Sequence, residues 1–228
     1  MIAGQPPRLG LWAREALQIP GLLASPLLPA VTIPLGQGHP VMVLPGYLTT
    51  DTSSVRLRRS LNAAGYSAHG WELGRNKGAR ADLLERLRHR VTWLADRHGQ
   101  AVSLIGWSLG GVFAREVAKL VPDQVRLVMT LGSPFSGDPR ANNAWRIYEM
   151  LNDHPVDRPP LDAVLSVKPP VPTIALWSSK DGIVAASSAR GQAGESDLQL
   201  EVDCRHLDFA RAAGAIRVIG QVLADQLA

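Results

Sequence analysis

The chain has 228 residues, 46% hydrophobic, 19% charged and 5% aromatic, with a formal net charge of +4. That length fits one globular domain burying roughly 70% of its extended-chain surface, and the single cysteine, Cys204, excludes a disulfide framework or a multi-cysteine metal site. The basic residues are scattered, and their tightest group, Arg56, Arg58 and Arg59, is too short to track phosphates, which excludes nucleic acid as the expected partner.

Residues 1–38 form an arm crowded with apolar side chains, among them Leu9, Leu11, Trp12, Leu17, Ile19, Leu22, Leu23, Leu27 and Leu28. It reads as a short helix from Leu9 to Ile19 followed by an extended wrap packed on the domain. The alternative is an apolar flap or interfacial anchor beside an acyl site. Pro6, Pro7, Arg14, Glu15 and Pro20 break any signal-peptide pattern, and no apolar run reaches the roughly 18 residues of a membrane span. With one free thiol, the expected location is cytoplasmic.

From residue 39 onward, apolar runs and helical periodicities alternate. Val41 to Leu44 is a short apolar run stopped by Pro45-Gly46, as in a buried parallel strand. Ser53 to Ala64 carries Leu57, Leu61 and Ala64 on one helical face, and Gly65 stops it. Tyr66 to Leu73 is strand-like, and Asp82 to His98 is a helix with Leu83, Leu87, Val91 and Leu94 inward, ended by Gly99. Ala101 to Ile105 is a strand, Gly110 to Leu120 a helix and Val125 to Leu131 a strand. Thr173 to Trp177 and Leu198 to Val202 are strands, and a last helix lies within Phe209 to Leu227. The 17 prolines avoid the stretches 47–121 and 173–228, which marks those as regular core and residues 136–172 as an irregular insertion. The predicted architecture is an α/β domain over residues 39–228, a doubly wound and mostly parallel sheet. The insertion 136–172 follows the strand ending near Leu131 and forms a small cap.

Chemistry in such a sheet sits beyond the carboxyl ends of the strands. There the sequence places Gly106-Trp107-Ser108-Leu109-Gly110 between a strand and a helix, the context in which Gly-x-Ser-x-Gly exposes a nucleophilic serine on a strained turn. A serine needs a base, and the base an orienting acid, in the chain order Ser, Asp/Glu, His. Asp181 follows the Thr173–Trp177 strand. His206 follows the Leu198–Val202 strand and is the only histidine after Asp181. Asp138 is the alternative acid, and Asp208 a competitor for the imidazole. The oxyanion amides are expected from Leu109 and from the Pro45-Gly46-Tyr47-Leu48 loop, at Tyr47 or else Leu48. Activity is expected to fall below about pH 6 as the imidazole protonates.

These stretches, together with Gly70 to Gly78, Thr130 to Phe135 and Ser178 to Val184, resemble the α/β-hydrolase superfamily, in particular bacterial esterases and lipases akin to GPI-inositol deacylases. The resemblance implies ester hydrolysis with Ser108, Asp181 and His206 as triad. The expected substrate is a small-molecule or lipid ester, touched by Leu48, Trp107, Phe135, Trp145, Tyr148 and Ile183, with no metal and no organic cofactor. An acyltransferase on the same triad and a non-catalytic binding module are the alternatives.

Overall fold

The computed structural model describes residues 5–18, 20–21, 25–160 and 164–227. The parts of the predicted arm at residues 1–4, 19 and 22–24, and of the predicted cap at 161–163, lie outside that set.

Six strands form one sheet in the order β2-β1-β3-β4-β5-β6, every neighbouring pair parallel: β1 Pro40–Leu44, β2 Ser67–Gly70, β3 Val102–Trp107, β4 Val125–Leu131, β5 Thr173–Trp177 and β6 Leu198–Glu201. Alternate side chains leave opposite faces of each strand, so both faces must be covered. Val41 and Val43 of β1, Ile105 and Trp107 of β3, and Met129 and Leu131 of β4 enter one core. Helix α2 (Val55–Ala63) closes this core with Leu57 and Leu61, and the last helix, Ala213–Leu227, with Ile216, Ile219 and Leu223. Met42, Leu44, Leu104 and Val128 enter the other, beneath α3 (Leu83–His98) and α4 (Leu109–Leu120). Each fully buried leucine contributes roughly 2 kcal/mol.

The elements follow the predicted boundaries closely, and the departures have local causes. The strand expected over Tyr66 to Leu73 is only Ser67–Gly70, because the Asp51 carboxylate accepts the amides of Trp71 and Glu72 at 3.1 Å each and turns the chain out of the sheet. Glu72 takes a φ of 58° there. Gly99 ends α3 in the left-handed conformation, with a φ of 63°. Two helices went unpredicted: α5 (Trp145–Leu151), inside the insertion, and the five-residue α6 (Ala186–Arg190). The last helix is therefore α7.

The arm helix α1 runs from Leu9 to Ala16, and further on Val31 and Ile33 are buried in the α7-side core. The arginines on α2 hold this wrap. Arg56 donates to the Pro29 carbonyl at 2.9 Å, and Arg59 to those of Leu28 and Pro26 at 3.0 and 3.1 Å. Two arginines of the basic group thus clamp the arm, while the third, Arg58, donates to the Asp51 carbonyl at 2.7 Å.

Candidate active site

Ser108 leaves β3 and caps the start of α4 with φ 53° and ψ −125°, a region that side-chain-bearing residues avoid. The surrounding glycines explain how the turn is reached. A Cβ on Gly106 would stand 2.2 Å from the Gly111 Cα, and one on Gly110 2.5 Å from the Leu44 carbonyl oxygen. The Ser108 amide donates to the Leu131 carbonyl at 2.8 Å, pinning the turn to the end of β4.

Asp181 and His206 meet at that same end. His206 Nδ1 donates to Asp181 Oδ2 at 2.6 Å, both side chains at most 3% exposed. The other Asp181 oxygen accepts the amides of Ile183 and Val184 at 2.8 Å each, which fixes the carboxylate. Gly132, one residue past the β4 end that holds Ser108, lies beneath the pair. A Cβ there would be 2.9 Å from Asp181 Oδ2 and 3.2 Å from His206 Nδ1. The Trp107 indole donates to the His206 carbonyl at 3.0 Å. Burial acts to lower the His206 pKa, but the charge and hydrogen bond of Asp181 and the charge of Glu15 outweigh it. The imidazole thus titrates above its ordinary value of 6.5, and the fall in activity expected near pH 6 moves upward. The Ser108 side chain makes no capping hydrogen bond to α4.

Neither rival acid reaches the imidazole. Asp138 Oδ1 accepts the Arg140 amide at 2.8 Å within its own turn, and Asp208 pairs with Arg211 at 2.6 Å. Of the two loop amides, that of Leu48 is already engaged, donating to the Asn76 carbonyl at 2.7 Å. Asn76 is fully buried and also donates its side-chain amide to the Pro45 carbonyl at 2.8 Å, bracing this loop. The amides of Tyr47 and Leu109 have no acceptor among the described residues.

Residues 74–184 match the family described as PGAP1-like alpha/beta domain. No curated protein matches the sequence significantly. Among solved structures, the chain is similar to a lipolytic enzyme of the metagenome-derived pair LipS and LipT, with a TM-score of 0.63 at 14% identity over 87% of this chain and 97% of the other. It is similar to Paleococcus ferrophilus monoacylglycerol lipase, with a TM-score of 0.60 at 14% identity over 85% and 97% of the two chains. Bacillus licheniformis lipase BlEst2 gives 0.60 at 15% identity over 85% and 95%. The chain has the α/β-hydrolase fold.

In this α/β-hydrolase fold, an apolar cavity of about 90 Å³ opens beside Ser108. Tyr47, Ser108, Leu109 and Val112 form one side, Trp145, Tyr148 and Leu165 of the insertion another, and Ile183 and Val184 a third. The Tyr148 hydroxyl accepts the Ala79 amide at 3.1 Å, and burial holds its pKa up at about 12, so it stays neutral. Three residues expected at the substrate lie elsewhere. Trp107 points into the α7-side core, as strand alternation requires next to an outward Ser108. Phe135 is 1% exposed beneath the Arg115 guanidinium, 4.1 Å from its ring centroid. Leu48, at a φ of 60°, turns to a separate surface hollow with Thr49, Thr52 and Arg75. Cys204 is buried, and desolvation, aided by Asp208, Asp181 and Glu15, pushes its thiol pKa up and keeps it unreactive. Among the described residues no group of three or more His, Cys, Asp or Glu side chains could hold a metal ion, and no helix is long and apolar enough to cross a membrane.

The residue that sequence reasoning missed is Glu15 of α1. It is 3% exposed, and its carboxylate accepts amides from both loops that carry Asp181 and His206. Its partners are more than 160 positions away, so no local pattern announces them.

Proposed function

We propose that the protein is a serine hydrolase cleaving carboxylic esters, an esterase or lipase working through an acyl-enzyme on Ser108. The observation that carries this reading is the buried 2.6 Å Asp181–His206 pair at the strand edge that also holds Ser108 in its strained turn. His206 Nε2 takes the Ser108 proton as Oγ adds to the ester carbonyl. The oxyanion is held by the Leu109 and Tyr47 amides, worth roughly 3–4 kcal/mol per donor. Asp181 keeps the proton of His206 on Nδ1 and offsets the imidazolium charge. His206 then protonates the departing alkoxide, and afterwards deprotonates the water that releases the acid.

The apolar wall of the cavity suits the acyl half of the ester. An apolar cavity of about 150 Å³ takes a benzene ring, so about 90 Å³ suits a short acyl chain with its far end toward the insertion. The similarity to a monoacylglycerol lipase and other lipolytic enzymes supports an ester as substrate. The test is hydrolysis of nitrophenyl esters of increasing chain length, with Ser108→Ala as control and a fluorophosphonate probe for Ser108. Hydrolysis and labelling, both lost in Ser108→Ala, are expected. Folded wild type that neither turns over nor labels overturns the proposal.

A further inference from the structure

The arm was expected to pack on the domain or to flap over the substrate. At Glu15 it does something more specific. Glu15 Oε1 accepts the Gly182 amide at 3.1 Å and the His206 amide at 2.8 Å, while Oε2 accepts the Leu207 amide at 3.2 Å. One carboxylate therefore ties the loop after β5 to the loop after β6, at positions adjoining Asp181 and at His206 itself. The approach of α1 is unusually close. A Cβ on Gly182 would stand 2.4 Å from the Leu11 carbonyl oxygen and 2.8 Å from Glu15 Cγ, so only glycine fits beside Asp181 with the helix in place. Asn143 of the insertion completes the junction, donating to the Pro7 carbonyl at 3.0 Å and the Gly182 carbonyl at 2.8 Å.

We propose that Glu15 is a positioning residue for the catalytic pair: it sets the separation of the Asp181 and His206 loops and adds a second negative charge behind the imidazole. This rests on the reading of Ser108, Asp181 and His206 as the catalytic centre. The charged groups around His206 are few. Asp181 faces it from the β5 loop and Glu15 from α1. On its own turn, Asp208 is paired with Arg211, which also donates to Gln18 of the arm. The rings of Trp107 and Phe209, at 5.9 and 6.4 Å between centroids, are neutral. The Glu15 charge favours the imidazolium, so its removal makes the proton easier to lose.

The test is Glu15→Gln, which keeps the size and one acceptor oxygen but removes the charge. Two readouts are taken: the pH dependence of kcat/KM, and the titration of the His206 imidazole by NMR, assigned with His206→Gln. The acid limb and the imidazole titration both move to lower pH in Glu15→Gln. The kcat drops about 10-fold with little change in KM, since loosening a catalytic group from its geometry can cost as much as about 100-fold. Gln18→Ala, which removes the arm's contact with Arg211 but leaves the Glu15 bonds to Gly182, His206 and Leu207 in place, lowers thermal stability and leaves both titrations in place. If Glu15→Gln lowers stability only and neither titration moves, Glu15 is a structural strut and the proposal is wrong. Should Glu15→Gln fail to fold, Gly182→Ala, whose methyl displaces α1 from the loops, must shift the imidazole titration in the same direction or the proposal fails. The NMR readout needs no turnover. A protein that hydrolyses no ester yet shows the shift refutes the catalytic reading and leaves the coupling of Glu15 to His206 standing.

Discussion

Ser108→Gly should produce a more stable and inactive protein. Ser108 sits at φ 53° and ψ −125°, and its side chain makes no capping hydrogen bond to α4. A side-chain-bearing residue held in such a region costs about 1–3 kcal/mol, which glycine does not incur. Against this, glycine gives the unfolded chain about 0.5–1 kcal/mol of extra entropy. The balance favours Ser108→Gly by about 1 kcal/mol. For a domain of this size that amounts to a rise of about 2–4 °C in Tm. Ser108→Ala is the reference, because it removes the same hydroxyl and keeps the strain. Calorimetry on the two variants at equal pH therefore isolates the backbone contribution. A Tm for Ser108→Gly at or below that of Ser108→Ala would refute the claim that the turn stores strain.

Asp181→Asn should fold and lose about 10⁴-fold in kcat, because the amide leaves the imidazole in the wrong tautomer; a loss under 10-fold in steady-state kinetics would remove Asp181 from the mechanism. The acid limb of kcat/KM should lie above pH 6.5, since the His206 pKa is raised and the base must be neutral; a half-maximum at or below pH 6.5 contradicts the electrostatics. The same shift carries a stability sign. The fold holds the His206 proton more tightly than the unfolded chain does, so this stabilisation is full below the unfolded pKa and is lost as pH rises through the folded one. Wild type should therefore lose its Tm advantage over His206→Gln as pH rises through that window. Trp145→Ala removes an indole that lines the cavity on the insertion side, and should shift the best nitrophenyl ester toward longer chains while kcat on short ones changes little; an unchanged chain-length profile would place the acyl group elsewhere.

Much of this was legible because the signals were local. Helix α3 announced itself by Leu83, Leu87, Val91 and Leu94, all buried as the spacing required, with Gly99 as its stop. The pentapeptide around Ser108 implied the strained turn because Gly106 and Gly110 stand where a methyl would collide with backbone. What was lost depended on direction or distance. Trp107 adjoins Ser108 in sequence, but the pleat sends it to the opposite face, into the α7-side core. Phe135 follows the β4 end closely, yet serves as a floor for the buried Arg115. Helix α5 is short and rich in exposed Ile147, Met150 and Leu151, so its periodicity never pointed to a core. Glu15 reads locally as the polar side of an amphipathic helix, and only the folded chain gives it three amides to accept.

The junction at Glu15 also bears on how the site comes into being during synthesis. Glu15 precedes its partners at Gly182, His206 and Leu207 by more than 160 positions, so α1 is synthesised well before they are. Until those residues emerge α1 has nowhere to dock, and the Glu15 carboxylate stays hydrated. A nascent chain cut short before the β6 loop would expose Ser108 in its turn with no aligned base. The Asp181 and His206 loops are thus tied together in one late step, when α1 docks on both.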